Sequence, residues 1–146
     1  MLRIRNILFP TDFSSYSNQA YLHAVAIAEA HHASLTLVYV NVPAQAGDAE
    51  YWRAQLEQIR PANPAIPVTH VFLEGDPATE IVRYARDAGV DRIVMGTHGR
   101  TGTERLLMGS VAEKVLRDAP CSVLVVKLPR ARPGANKADP ALVAGR

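Results

Sequence analysis

The spacing with most chemistry in it is Gly96-x2-Gly99-x9-Gly109-Ser110, within the stretch from Met95 to Glu113. Glycine lets backbone approach a ligand closely because no Cβ stands in the way. Ile93-Val-Met95, just before it, is a short apolar run of the kind that makes a buried strand. Ser110-x-x-Glu113, at its end, has the form of a capping box, so a helix is expected to begin at Ser110. A strand, a glycine loop and a helix N-terminus with free N–H groups make a cradle for an anion, phosphate above all. The donors would be the N–H groups near Ser110 and Val111 and the Ser110 hydroxyl. Each dipole interaction contributes only about 0.3–1 kcal/mol when exposed, so several donors must converge. The pattern is neither a Walker A loop nor G-x-G-x-x-G, and it competes with a plain strand-to-helix loop whose glycines serve packing.

Asp12, in the turn after the first apolar run, has the acceptors for a ribose hydroxyl or an adenine amino group. The alternative is that it stabilises its own turn, as Asp commonly does. Arg100, Arg105 and His98 have the reach to meet phosphate, against the simpler role of solvated loop residues. Asp12, His98 and Glu104 are the groups near the cradle able to orient a water for hydrolysis, and none is paired in a recognisable catalytic pattern. There is no G-x-S-x-G elbow and no H-E-x-x-H pair. His31 and His32 close a helix and complement its C-terminal dipole, while Trp52, Leu56 and Ile59 read as packing.

These residues need a scaffold, and the chain alternates apolar strands with helical stretches throughout. Strands are expected at 4–9 (ended by Pro10), 35–42, 68–73, 91–95 and 122–126. The first helix, with Ser14 as N-cap, carries Ala20, Ala24, Ile27 and Ala28 on one stripe. A second covers 49–60. The third starts at Asp76-Pro77, shows Ile81, Tyr84, Ala85 and Ala88 on one face, and stops at Gly89. The fourth turns Val111, Val115 and Leu116 inward. Such alternation predicts an α/β fold: a Rossmann-like, doubly wound parallel sheet of five strands with helices on both faces. Two strand orders compete, 3-2-1-4-5 and 2-1-3-4-5; Pro67 beside the third strand favours the first, since proline suits an edge. In that order the switch point lies between strands one and four, and ligands bind outside the carboxyl ends of strands there.

With 146 residues, 48% of them hydrophobic, the chain is sized for one domain with a full core. No apolar run reaches the ~18 residues of a membrane span, and no signal peptide is expected before the first strand. The single Cys121 excludes an internal disulfide framework. A cytoplasmic protein is expected. The pI of about 8.9 invites a nucleic-acid reading. From Pro129 onward, however, four cations face one carboxylate, a net +3; with +2 for the entire chain, residues 1–128 carry −1. The basicity belongs to the tail, so no nucleic-acid partner is expected. Residues 129–146 lack periodicity and read as disordered, outside a domain spanning 1–128.

Taken together, Gly96-Thr-His-Gly99-Arg-Thr-Gly102 with Gly109-Ser110 resembles the nucleotide-binding motif of universal stress proteins. Ile7-Leu-Phe-Pro-Thr-Asp12-Phe-Ser14 is similar to their first strand and acidic turn, and Ala119-Pro-Cys-Ser-Val-Leu-Val-Val126 to their last strand. Ser122 departs from the second proline of many members. The resemblance implies strand order 3-2-1-4-5, ATP as ligand with Mg²⁺ held through its phosphates, and a homodimer paired through Ser122–Val126. It assigns Pro10, Thr11, Asp12 and Val40 to the adenosine. Met95, Gly96, His98, Gly99 and Arg100 would line the ribose and phosphates, and Gly109, Ser110 and Val111 would hold the phosphate end. The implied role is a nucleotide-dependent sensor or regulator in the stress response, against a slow ATPase or transferase, or an interaction module with a vestigial site. Gly109→Val is expected to remove binding by filling the phosphate approach.

Overall fold

The computed structural model describes residues 2–43, 47–98 and 108–128. The elements are β1 (Asn6–Pro10), α1 (Ser15–His31), β2 (Ser34–Asn41), α2 (Ala49–Glu57), β3 (Val68–Glu74), α3 (Pro77–Asp87), β4 (Arg92–Gly96), α4 (Ser110–Asp118) and β5 (Ser122–Val126). All pairings are parallel, in the order β3-β2-β1-β4-β5. The sheet is doubly wound, and β1 and β4 flank its switch point. Pro67 lies just before β3, at an edge, where its carbonyl accepts from Leu35 N–H at 2.9 Å.

Two cores form on opposite faces. Ile7, Phe9, Leu35, Leu37 and Val94 pack under Ala20, Ala24 and Ala28 of α1 and Leu56 of α2. Leu8, Val38, Ile93 and Met95 pack under Ile81, Val82 and Ala85 of α3 and Ala112 and Val115 of α4. The alanine stripe brings α1 against the sheet without intervening bulk, and its three alanines are essentially inaccessible.

Caps fix where the helices start. Ser14 Oγ accepts from Ser17 N–H at 3.3 Å, and Asp76 accepts from Thr79 N–H at 3.1 Å with Pro77 in the first turn. α1 ends on His32, whose N–H reaches back to the carbonyls of Ala28 and Glu29. Gly89, at φ +64°, follows α3 in the left-handed region that glycine tolerates.

Four expectations shift. On α3 the inward stripe takes Val82 rather than Ala88, which is exposed at the C-cap. On α4 Leu116 is 48% exposed and Ala112 is buried instead. Pro10 belongs to β1 rather than ending it from outside. Ser110 is the first residue of α4, with Gly109 at the N-cap, so the capping box does not form.

Candidate functional site

Pro10 stands where the β1–β4 ladder ends, at the switch point. Thr11 N–H donates to Val38 O at 2.9 Å, so the odd residues of β1 face β2 and the even ones, Pro10 included, face β4. Proline has no N–H to offer there. The β1–β2 ladder runs to Pro10↔Val38, whereas β1–β4 pairing stops at Leu8↔Ile93. The same alternation turns the main-chain N–H and C=O of Val40 towards β1's side, beyond its last ladder bond. Asn41, next in line, faces β3 and accepts from Gly75 N–H at 3.0 Å.

Past Pro10 the chain makes a tightly bonded turn. Ser14 N–H donates to Asp12 Oδ1 at 3.0 Å, and the Ser17 hydroxyl to the same oxygen at 3.3 Å. Phe13 N–H donates to Thr11 Oγ1 at 3.0 Å. Phe13 sits at φ +65°, unusual for a bulky residue. Its ring stacks on Trp52 with centroids 5.2 Å apart and lies 5.3 Å from Tyr39. Trp52 is therefore packing, and that packing fixes the turn holding Asp12. One Asp12 oxygen therefore stabilises its own turn.

On the other side of the crevice, α4 is docked onto the end of β4. Gly109 N–H donates to Thr97 O at 2.6 Å, and Glu113 N–H closes the first turn on Gly109 O at 3.0 Å. The N–H groups of Ser110, Val111 and Ala112 belong to that first turn, where an α-helix supplies no partner. Both flanking glycines are explained by close approach. A Cβ on Gly96 would lie 2.8 Å from the backbone carbon of Tyr16, so only glycine lets α1 cross β4 there. A Cβ on Gly109 would come within 3.1 Å of Thr97 O and 3.3 Å of His98 Cα. Its bulk would thus press on the β4–α4 junction rather than fill open space in front of the helix. His98 is half-buried, its Nδ1 3.1 Å from Thr97 Oγ1 and its ring 5.0 Å from that of Tyr16.

Pro10, Thr11, Asp12, Val40, Met95, Gly96, His98, Gly109, Ser110 and Val111 thus all belong to the carboxyl end of the sheet around β1 and β4 or to the start of α4. Met95 is 5% exposed and packs in the core beneath α3 and α4. Gly99 and Arg100, with Arg105, Glu104 and the tail 129–146, lie outside the described residues. Tyr16, Thr97 and Asn41 were not singled out from sequence; nothing in their spacing marks them. A separate groove of about 520 Å³ between α3 and α4 is lined by Thr79, Arg83 and Lys114. Arg86 lines it too; of its cations, Arg83 pairs with Glu80 and Lys114 lies 3.6 Å from Asp76. Among the described residues no group of three His, Cys, Asp or Glu side chains could hold a metal, and no helix is long and apolar enough to cross a membrane.

A doubly wound parallel sheet with a crevice at its switch point defines the class. Within that class, residues 3–127 match the model of the universal stress protein family, and the chain belongs to it. A universal stress protein of Methanocaldococcus jannaschii is 37% identical over 142 residues, covering 86% of this chain and 84% of that one. The structure of universal stress protein UspA from Lactobacillus plantarum superposes with a TM-score of 0.74 at 27% identity, covering 86% of this chain and 99% of that one. A universal stress protein solved in complex with cAMP shares the fold at a TM-score of 0.70 and 24% identity, covering 88% of this chain and all of its own.

Proposed function

We propose that this protein binds ATP at the β1–β4 crevice and acts as a nucleotide-dependent sensor or regulator in the stress response of the cytoplasm. The observation that carries the reading is the docking of α4. Its first turn, with the N–H groups of Ser110 and Val111, is anchored to the end of β4 by the Gly109–Thr97 hydrogen bond, beside the gap left by Pro10. The cAMP complex of a family member supports a nucleotide as the ligand class.

In this reading Pro10, Thr11, Asp12 and Val40 hold the adenosine. Val40 would contribute its main-chain N–H and C=O, which are turned past the end of β1. Met95, Gly96, His98, Gly99 and Arg100 line the ribose and phosphates, and Gly109, Ser110 and Val111 receive the phosphate end. Mg²⁺ would be held by the phosphates. ATP supplies a polyanion that the N–H groups at the start of α4 are suited to hold. Asp12, with one oxygen held by the turn, would position the ligand rather than activate water.

Denaturing the purified protein and identifying released nucleotide, followed by calorimetric titration with MgATP, tests this. Released adenine nucleotide, or saturable heat that Gly109→Val abolishes, is the expected result. Neither nucleotide nor heat would leave an interaction module. Single-turnover hydrolysis above buffer background, lost in Ser110→Ala, would instead make the protein an ATPase.

A further inference from the structure

At the carboxyl end of β2, among the described residues, one buried side-chain oxygen has no hydrogen bond. Asn41, the last residue of β2, is 4% exposed, and its side-chain oxygen has no hydrogen-bond partner among the described residues. Its main chain is pinned by Gly75, so the residue does not swing out. An unmade bond on a buried amide is destabilising, whereas leucine, of similar volume, would incur no such cost. The other such atom, the Tyr21 hydroxyl, belongs to a ring packed 5.5 Å from Phe9 in the core, away from the strand ends.

Register gives Asn41 its place. Val38 is the last β2 residue opposite β1, so Asn41 stands three residues beyond the point where β1 turns away. Strand alternation sets it on the face of Tyr39, where Phe13 and Trp52 stack at the foot of the Asp12 turn. It also adjoins Val40, whose main chain is turned towards the gap. We infer that Asn41 reads the base of the bound nucleotide, its amide hydrogen-bonding the polar edge of the ring. This rests on the nucleotide reading above. A carboxamide offers an acceptor and a donor side by side, which matches the exocyclic amino group and adjacent ring nitrogen of adenine.

The test is Asn41→Leu, with Asn41→Ala as a second variant, each checked by circular dichroism. Affinities are measured for ATP, ITP and inorganic tripolyphosphate, which has no base. Loss of the amide is expected to weaken ATP about tenfold, collapse the ATP-over-ITP preference and leave tripolyphosphate unchanged. Unchanged ATP affinity in a folded variant would overturn the inference while keeping the nucleotide site. So would an equal loss for ATP and tripolyphosphate, which marks a structural role. If the wild-type protein binds none of the three, both readings fall together.

Discussion

The two glycines that flank the cradle do structural work that their spacing alone does not reveal. Gly96 meets the first turn of α1 so closely that a Cβ would sit 2.8 Å from backbone and side-chain carbons of Tyr16. Backbone cannot yield as a flexible side chain does, so the helix or the strand must move. Gly96→Ala is expected to destabilise the protein by about 1–3 kcal/mol, as overpacking in a core does. Gly47→Ala is the control: its Cβ would meet nothing within 4 Å, and its effect should stay within about 0.5 kcal/mol. Urea titration decides it; equal midpoints for the two variants would mean that α1 shifts freely. Cys121 shows the same dependence on surroundings, since burial pushes its thiol up.

Among the elements, α3 has the clearest start, and it also helps to hold α4. The hydroxyl of Thr79 donates to Asp76 Oδ2 at 2.7 Å and its N–H at 3.1 Å, and Lys114 of α4 bonds Thr79 Oγ1 at 3.0 Å. The Thr79 hydroxyl, then its N–H, then Lys114, hold the Asp76 carboxyl below its ordinary value. A lowered carboxyl favours the folded state only while ionised. The cap is therefore fully effective above the unfolded value of about 3.9, and is lost as pH falls through the lower folded value. Asp76→Ala should cost about 1 kcal/mol at pH 7. The gap between wild type and variant should close on acidification, read from urea midpoints at a series of pH values. A gap that persists below pH 2 would assign the stabilisation to something other than the ionised cap.

At the scale of the molecule, the exposed feature is the outer edge of β5. Thr97 N–H donates to Val126 O at 3.2 Å, so Val126, Leu124 and Ser122 turn their main chains towards β4. Val123 and Val125 therefore direct theirs outward, on an edge that carries no charge before Lys127. Bare apolar edges invite pairing, and we propose that a second copy covers this one, in a homodimer through Ser122–Val126. Val125→Pro removes an outward donor while sparing the inner ladder. Lysine at Val126 would be a poorer test, because that side chain is buried against α1. Sedimentation should find a wild-type dimer and a folded Val125→Pro monomer; a variant that stays dimeric would put the interface elsewhere.

Sequence by itself determined the elements, their order and the family. Period-two and helical patterns, with Ser14, Asp76 and Gly89 as punctuation, specify local structure through short-range physics, and that physics is written in neighbouring residues. The junction of β4 with α4 was legible too, since a strand, glycines and a helix start follow one another along the chain. Tertiary structure alone decided what depends on distant partners. It showed that Gly96 makes room for Tyr16 and that Pro10 faces β4, where it has no N–H to continue the ladder. It showed Leu116 exposed where Ala112 is buried. Above all it found the side-chain oxygen of Asn41, at the end of β2, without a partner among the described residues, because whether a polar atom is satisfied depends on every element packed around it.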